Sequence, residues 1–298
     1  MEFLQLKYFQ EVAKFEHITK AAKNLNVSQP SLSNTITRVE KNLGVPLFVR
    51  QGRQIRLTSY GKVFLRRVNR ALSELEEGKR EIKAMAGLDN GFVSIATTLP
   101  SLLPLLLKDY YTAFPKARIK QKQALSHDEI KQQLENVEID LCISTFPIIG
   151  ADIKWLPLLE EEIFLSVPSW HKLANRKSIN LNEAAEESFI SITSEYGFRK
   201  MTVDFCRQAG FEPNISFEIA ETGIIQSLVE LDLGVTFTPK YSLHPTLKPK
   251  SVQLHIKHPT CKRTIGLAWN KKHFKTPAME QFIAFVTAYF AQLESNTE

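Results

Sequence analysis

The sequence predicts a mixed fold: an all-α winged helix-turn-helix head at the N-terminus, a long linker helix, and an α/β domain occupying the remainder. Three observations predict it. Apolar residues recur at helical spacing from Met1 to Leu43, and an arginine-rich alternating segment follows. One long helical segment runs from Thr58 to about Ala86, with heptad-like spacing from Leu65 onward. Beyond Gly91, short apolar strands alternate with helical segments. A chain of 298 residues accommodates two or three domains.

In the head, Leu6, Phe9 and Ala13 share one face of the first segment, and Ala21, Ala22 and Leu25 pack the second. Asn26 suits the left-handed conformation that ends a helix. Ser28 is placed as an N-cap with Pro30 in the first turn. Leu32, Ile36, Val39 and Leu43 then form one narrow apolar stripe. Pro30, Asn34, Thr37 and Lys41 lie opposite, with Ser33 and Arg38 at the margins. Such a helix anchors by one face and offers small hydrogen-bonding side chains to base edges in the major groove by the other. Asn34 is suited to bidentate pairing with adenine. Thr19, Gln29 and Ser31 complete the candidate DNA-reading set. Residues 47–57 read as a two-stranded wing with Gly52 in its turn; Arg50, Arg53 and Arg56 would contact phosphates, adding affinity without sequence information.

In the long helix, Leu65, Val68, Leu72, Leu75, Ile82 and Ala86 follow alternating three- and four-residue steps, with Lys79 the one polar position in the seam. The spacing predicts a short coiled coil, and therefore dimerisation through Leu65, Val68, Leu72, Leu75 and Ile82. The competing reading is a helix that packs on its own domain. Residues 87–91 read as a hinge.

The head carries the charge. Residues 1–90 hold 16 Lys and Arg against 9 Asp and Glu, whereas residues 91–298 hold 22 against 23. A basic end of this kind suits a polyanion.

The ordered run from His17 to Arg50, continuing through Leu57-Thr58-Ser59-Tyr60-Gly61, resembles the LysR-type transcriptional regulator family. The matching pieces are Ala21-Ala22, Ser28-Gln29-Pro30-Ser31-Leu32-Ser33, Ile36, Glu40, Leu43-Gly44, Leu47-Phe48 and Leu57-Thr58 with Gly61. Asn34, Thr35 and Tyr60 depart from the family's usual residues, which leaves the operator sequence open but not the docking mode. The resemblance implies a winged head over residues 1–58, a dimerising linker helix over 59–87 and an effector-binding domain over 91–298. That domain would resemble periplasmic binding proteins, with subdomain I at about 91–161 and 266–298 and subdomain II at about 162–265. The implied partners are double-stranded DNA carrying an interrupted inverted repeat, a second copy in a homodimer or dimer of dimers, and RNA polymerase.

Candidate strands after Gly91 are Phe92–Thr97, Arg118–Gln123, Ile139–Ser144, Ile163–Pro168, Phe189–Thr193, Ile215–Ala220, Gly234–Thr238 and Thr264–Trp269, with helices near 101–113, 127–136, 198–209, 223–232 and 278–293. In open α/β folds, ligands bind beyond the carboxyl ends of strands, at helix N-termini. Five junctions carry hydroxyls, giving Thr97, Thr98, Ser101, Ser126, Thr193, Ser194, Thr222 and Thr238 as candidate effector contacts, together with Phe198 and Arg199. Helix N-termini and Arg199 favour an anion, so a small carboxylate is the expected effector; Glu221 opposes this. The plainer reading is that the hydroxyls only cap helices. The acidic run Glu160–Glu162 reads as a solvated turn.

Other classes find little support. There is no Walker loop, no GxGxxG after a strand, no GxSxG elbow and no metal-ligand spacing, so neither an enzyme nor a cofactor or metal site is expected. Cys142, Cys206 and Cys261 are odd in number and far apart, which fits buried free thiols in a reducing cytoplasm. No apolar run suggests a membrane span or export signal. An architectural DNA-binding protein with a non-sensing C-terminal domain is the alternative function.

Overall fold

The computed structural model describes residues 1–51, 54–86, 92–122, 126–194, 196–242 and 250–295. Gly52, Arg53, Gln123 and the hinge at 87–91 lie outside these. The chain divides into two compact units, the first comprising Met1–Leu88 and Asn136–Glu138 and the second Asp89–Glu135 and Ile139–Glu298.

The first unit runs α1 (Phe3–Phe15), α2 (Ile18–Asn24), α3 (Gln29–Leu43), β1 (Phe48–Gln51), β2 (Gln54–Leu57) and α4 (Ser59–Met85). Local chemistry sets its corners. Asn26 has φ of 55° between α2 and α3, and Ser28 Oγ accepts from the Ser31 N–H at 3.3 Å to start α3. Gly44, at φ of 72°, closes α3 in the left-handed region. Thr58 Oγ1 accepts from the Gly61 N–H at 3.0 Å to cap α4, and donates to the Pro46 carbonyl at 2.8 Å. Gly61 is obligatory at this crossing, because a Cβ there would sit 2.1 Å from the Leu47 carbonyl oxygen.

Phe9, Val12, Ala21, Ala22, Leu32, Ile36, Val39 and Leu47 form the core of this unit. Burial of each larger side chain contributes about 1.5–3 kcal/mol. Two expectations need correction. Leu43, the last residue of the apolar stripe, is 37% exposed, because α3 ends there and Gly44 turns the chain away. Along α4, Val68 and Leu72 are only 2% and 7% exposed within this same core, with Leu65 packed at its edge. The first half of the heptad seam is thus occupied by the protomer's own head; Leu75 and Ile82, at 51% and 68%, face solvent.

The second unit runs β3 (Phe92–Thr97), α5 (Leu103–Ala113), β4 (Arg118–Gln121), α6 (His127–Glu135), β5 (Leu141–Ser144), β6 (Ile153–Val167), β7 (Ser178–Asn180), β8 (Ser188–Ile192), α7 (Gly197–Gln208), β9 (Asn214–Ile219), α8 (Thr222–Glu230), β10 (Thr236–Pro239), β11 (Val252–His258), β12 (Lys262–Asn270) and α9 (Pro277–Ser295). The main sheet has the order β4-β3-β5-β12-β6-β11-β7, with β10 also on β6. β3 is parallel to β4 and β5, whereas β12 is antiparallel to β5 and β6. β8 and β9 form a separate parallel pair, joined to the segment before β10 by a bridge between Phe189 and Val235.

β6 explains the two subdomains. Up to Glu162 it pairs with β12; from Ile163 onward it pairs with β10 and, further along, β11. Its side chains change core at the same point. Leu159 packs with Ile95, Leu106, Tyr110, Ile265, Phe282 and Phe290, and Ile163 packs with Leu165, Phe189, Phe205, Leu254 and Ile256. The fold is therefore that of two α/β halves strung on shared crossing strands, as in periplasmic binding proteins.

The acidic run is not a turn. Glu160, Glu161 and Glu162 are interior to β6, and the two-residue alternation of a strand sorts them. Glu160 meets Lys262 at 3.2 Å and Glu162 meets His255 Nδ1 at 2.8 Å on the outside. Glu161, fully buried, pairs with Arg263.

Candidate functional site

In the head, the α3 stripe of Leu32, Ile36 and Val39 is buried, which turns the opposite surface outward. Gln29, Pro30, Ser31, Asn34, Thr37 and Arg38 are exposed, Ser33 is half-buried, and Thr19 on α2 is exposed. Thr37 Oγ1 donates to the Ser33 carbonyl at 3.1 Å, which holds its methyl and oxygen close to the helix. The Asn34 amide makes no hydrogen bond to any other described residue, leaving its donor and acceptor pair available. α3 and the wing are joined by Glu40, whose Oε1 accepts from the N–H groups of Leu47 at 2.7 Å and Phe48 at 3.1 Å. Arg50 is exposed on β1. Arg56 is also exposed but is held by Glu16, so one of its expected phosphate-binding faces is already engaged. Arg53 lies outside the described residues.

In the second unit the candidate effector residues separate into three kinds. Some use their hydroxyls within the fold. Thr97 Oγ1 accepts from the Leu99 N–H at 2.9 Å. Ser126 Oγ accepts from the Glu129 N–H at 3.2 Å, an ordinary N-cap. Thr238 is buried, and its Oγ1 accepts from Ser166 at 2.7 Å. Others sit at the boundary between the halves. Thr98 Oγ1 lies 3.2 Å from Thr145 Oγ1 and accepts from the Thr145 N–H at 2.9 Å, bringing the ends of β3 and β5 together. Ser101 Oγ donates to the Tyr241 carbonyl at 3.4 Å. Phe198 packs against the core of the second half, and the Arg263 guanidinium lies 5.1 Å from its ring centroid. The third kind is open to a ligand. Ser194 and Thr222 are exposed, and Thr193 Oγ1 is shielded from solvent with no partner among the described residues.

Arg199 differs from the expectation of a free cation: its Nη2 lies 3.1 Å from Glu218 Oε1, so a carboxylate already occupies its guanidinium. Conversely, Thr145 and Phe146 were missed. A Cβ on Gly197, at the start of α7, would lie 3.6 Å from the Phe146 ring, so this loop of the first half faces the α7 N-terminus of the second. The signal was present, since Ser144-Thr145 closes a strand in the same manner as Thr97-Thr98.

Among the described residues no group of three or more His, Cys, Asp or Glu side chains is arranged to hold a metal ion, and no helix is long and apolar enough to cross a membrane.

Comparison with known proteins bears on both units. Residues 3–62 match the family model of the bacterial regulatory helix-turn-helix protein, lysR family, and residues 91–291 match that of the LysR substrate binding domain. The HTH-type transcriptional regulator YybE of Bacillus subtilis is 39% identical over 295 residues, covering 98% of this chain and all of that protein. The transcriptional dual regulator GltC of the same organism is 34% identical over 298 residues, covering 99% of each chain. The crystal structure of full-length CbnR complexed with its target DNA aligns with a TM-score of 0.69 and 25% identity, over 97% of this chain and 99% of that one. A winged head with an open reading helix and a two-halved α/β domain, each matched by its own family model, make this chain a member of the LysR family of DNA-binding transcriptional regulators.

Proposed function

We propose that the protein acts as a homodimer, or a dimer of dimers, in which each α3 enters the major groove of one arm of an interrupted inverted repeat. The observation that carries this reading is the two-faced character of α3: Leu32, Ile36 and Val39 are sealed in the head, while Gln29, Pro30, Ser31, Asn34, Thr37 and Arg38 are open. Asn34, with Ser33 on the same helix and Thr19 on α2, reads base edges; Arg50, Arg53 and Arg56 hold phosphates. The dimer forms through the solvent-facing part of α4, at Leu75, Ile82 and Met85, where exposed apolar side chains recur on a helix with too little protomer surface to cover them. RNA polymerase is the further partner, and the cytoplasm the compartment.

The effector is a small polar molecule, bound where the two halves of the second unit meet. The unpartnered Thr193 hydroxyl, the exposed Ser194 and Thr222, and the facing Phe146 and Gly197 supply the contacts. Because Glu218 already neutralises Arg199, a carboxylate would depend on helix N-termini or displace that pair. Binding shifts the spacing of the halves, with a coupling of about 1–3 kcal/mol to DNA binding.

Footprinting on the DNA upstream of the protein's own coding sequence, with salt titration of Asn34→Ala and Arg50→Ala, tests the head. Asn34→Ala is expected to relax base preference at one position per half-site. Arg50→Ala is expected to weaken every sequence alike and flatten the salt slope. Equal losses on specific and random DNA for both variants would refute this division of roles.

A further inference from the structure

The buried charges of the second unit are concentrated at one place. Glu161 on β6 stands in register opposite Arg263 on β12, immediately before β6 leaves β12. Glu161 Oε2 accepts from Arg263 Nε at 2.5 Å, and its other oxygen accepts from the Tyr241 N–H at 2.6 Å. Tyr241 belongs to the helical turn Lys240–Ser242 that follows β10, and its ring packs against the core of the first half. Its carbonyl is reached by Ser101, ahead of α5, at 3.4 Å. Arg263 extends in the other direction: Nη2 approaches Ser242 Oγ at 3.4 Å, and the guanidinium lies over Phe198 in the first turn of α7.

One ion pair thus ties together both crossing strands, the turn after β10, the approach to α5 and the start of α7. Stability does not explain it, because two well-packed apolar residues would serve as well or better than a buried pair that must be stripped of water. What an ion pair adds is direction. Apolar packing tolerates sliding, whereas a carboxylate committed to two donors accepts one arrangement. β6 runs through both halves and the chain crosses between them again at Cys261, between β11 and β12, so a change in their separation bends or twists the chain beside Glu161 and Arg263.

We propose that Glu161 and Arg263 form a hinge clamp, positioning residues that fix the resting separation of the two halves by holding the Lys240–Ser242 turn and the α7 N-terminus to the crossing strands. The clamp rests on the fold alone and is independent of which residues contact the effector. Burial pushes the Arg263 pKa down and the adjacent Glu161 pushes it back, consistent with a pair whose members depend on each other.

The test uses the full chain without added ligand. Lys108→Cys on α5 and Lys200→Cys on α7 are both exposed sites, one in each half. The native cysteines are buried, so spin labels go to the introduced thiols. Distances between the labels are read by double electron–electron resonance, and amide exchange by mass spectrometry. With labelled chains diluted into unlabelled ones so that only the distance within a protomer is read, replacing both partners, as Glu161→Met with Arg263→Met, is expected to broaden that distribution. It should also speed exchange in the peptides containing Tyr241 and residues 197–205 by about tenfold or more, with β3 and β5 unchanged. An unchanged distribution with unchanged exchange would overturn the clamp and leave the pair a packing detail. Should the double variant not fold, Glu161→Gln decides: it keeps an acceptor for the Tyr241 N–H but removes the charge holding Arg263. Broadening then supports the clamp, and an unaltered distribution overturns it.

Discussion

Glu40→Ala should loosen the head far more than a half-buried glutamate would suggest. Its Oε1 is the acceptor for two consecutive backbone donors, Leu47 N–H at 2.7 Å and Phe48 N–H at 3.1 Å, where the chain passes from α3 into the wing. Leu47 itself is 1% exposed, so water cannot readily replace the lost acceptor. A hydrogen bond to a charged group contributes about 1.5–3 kcal/mol. Because one oxygen serves both donors at a partly buried site, the two do not simply add, and about 2–3 kcal/mol is expected for their joint loss. That corresponds to about 30- to 150-fold faster exchange of the most protected head amides. Hydrogen exchange on the full chain measures it directly. Trp155, Trp170 and Trp269 all lie in the second unit, so a urea transition followed by tryptophan fluorescence provides an internal control. Glu40→Gln, which keeps an oxygen but not the charge, should cost about half as much or less. Unchanged protection in Glu40→Ala, or equal effects of the two variants, would refute the assignment of Glu40 as the joint between α3 and the wing.

Three other outcomes are expected. Gly61→Ala places a methyl 2.1 Å from the Leu47 carbonyl oxygen and 2.8 Å from Leu57 Cδ2; it should destabilise the head by about 1–3 kcal/mol or more, seen as a lower head melting temperature. Burial pushes the thiols of Cys142, Cys206 and Cys261 up to about 12, so at about pH 8 iodoacetamide should modify them only in denaturant; fast labelling of native protein would contradict this. Burial raises the Glu187 carboxyl, but hydrogen bonds from Lys172 and His171 outweigh it and the net shift is downward. Its folded value thus lies below the unfolded one of about 4.3. The stabilisation is present above that pH and is lost as pH falls through the folded value, so the stability gap between wild type and Glu187→Gln should narrow on acidification. A pH-independent gap would count against it.

Where the sequence was legible, one residue type had one environment available to it. Asn26, Ser28 and Pro30 each have a narrow conformational role, and α3 begins where they require. The α4 seam was legible only as a period. Spacing shows that Val68 and Leu72 face one way, but not whether that face meets a partner or the protomer's own Phe9 and Leu32. β6 reads too short because three consecutive glutamates look solvated; only the neighbouring strands reveal that Lys262 and Arg263 of β12 and His255 of β11 serve them. β11 escaped notice although Leu254 and Ile256 alternate inward within Val252–His258, since His and Lys disguise the period. The hydroxyl-bearing junctions were identified, but sequence could not separate Ser126, an ordinary cap, from Thr193, whose oxygen is enclosed and unmatched among the described residues.

The discontinuous make-up of the first half has a consequence for how the chain matures. Its core combines Val93 and Ile95 with Ile265, Phe282, Val286 and Phe290, so this half cannot close until the segment carrying Phe290 has left the ribosome. The head core, drawn from Phe9 to Leu72, is complete long before. During synthesis the DNA-reading module therefore exists for a time without a folded effector-binding module, and a transcript cut short ahead of the Phe282–Phe290 codons would encode a head joined to an unclosed half.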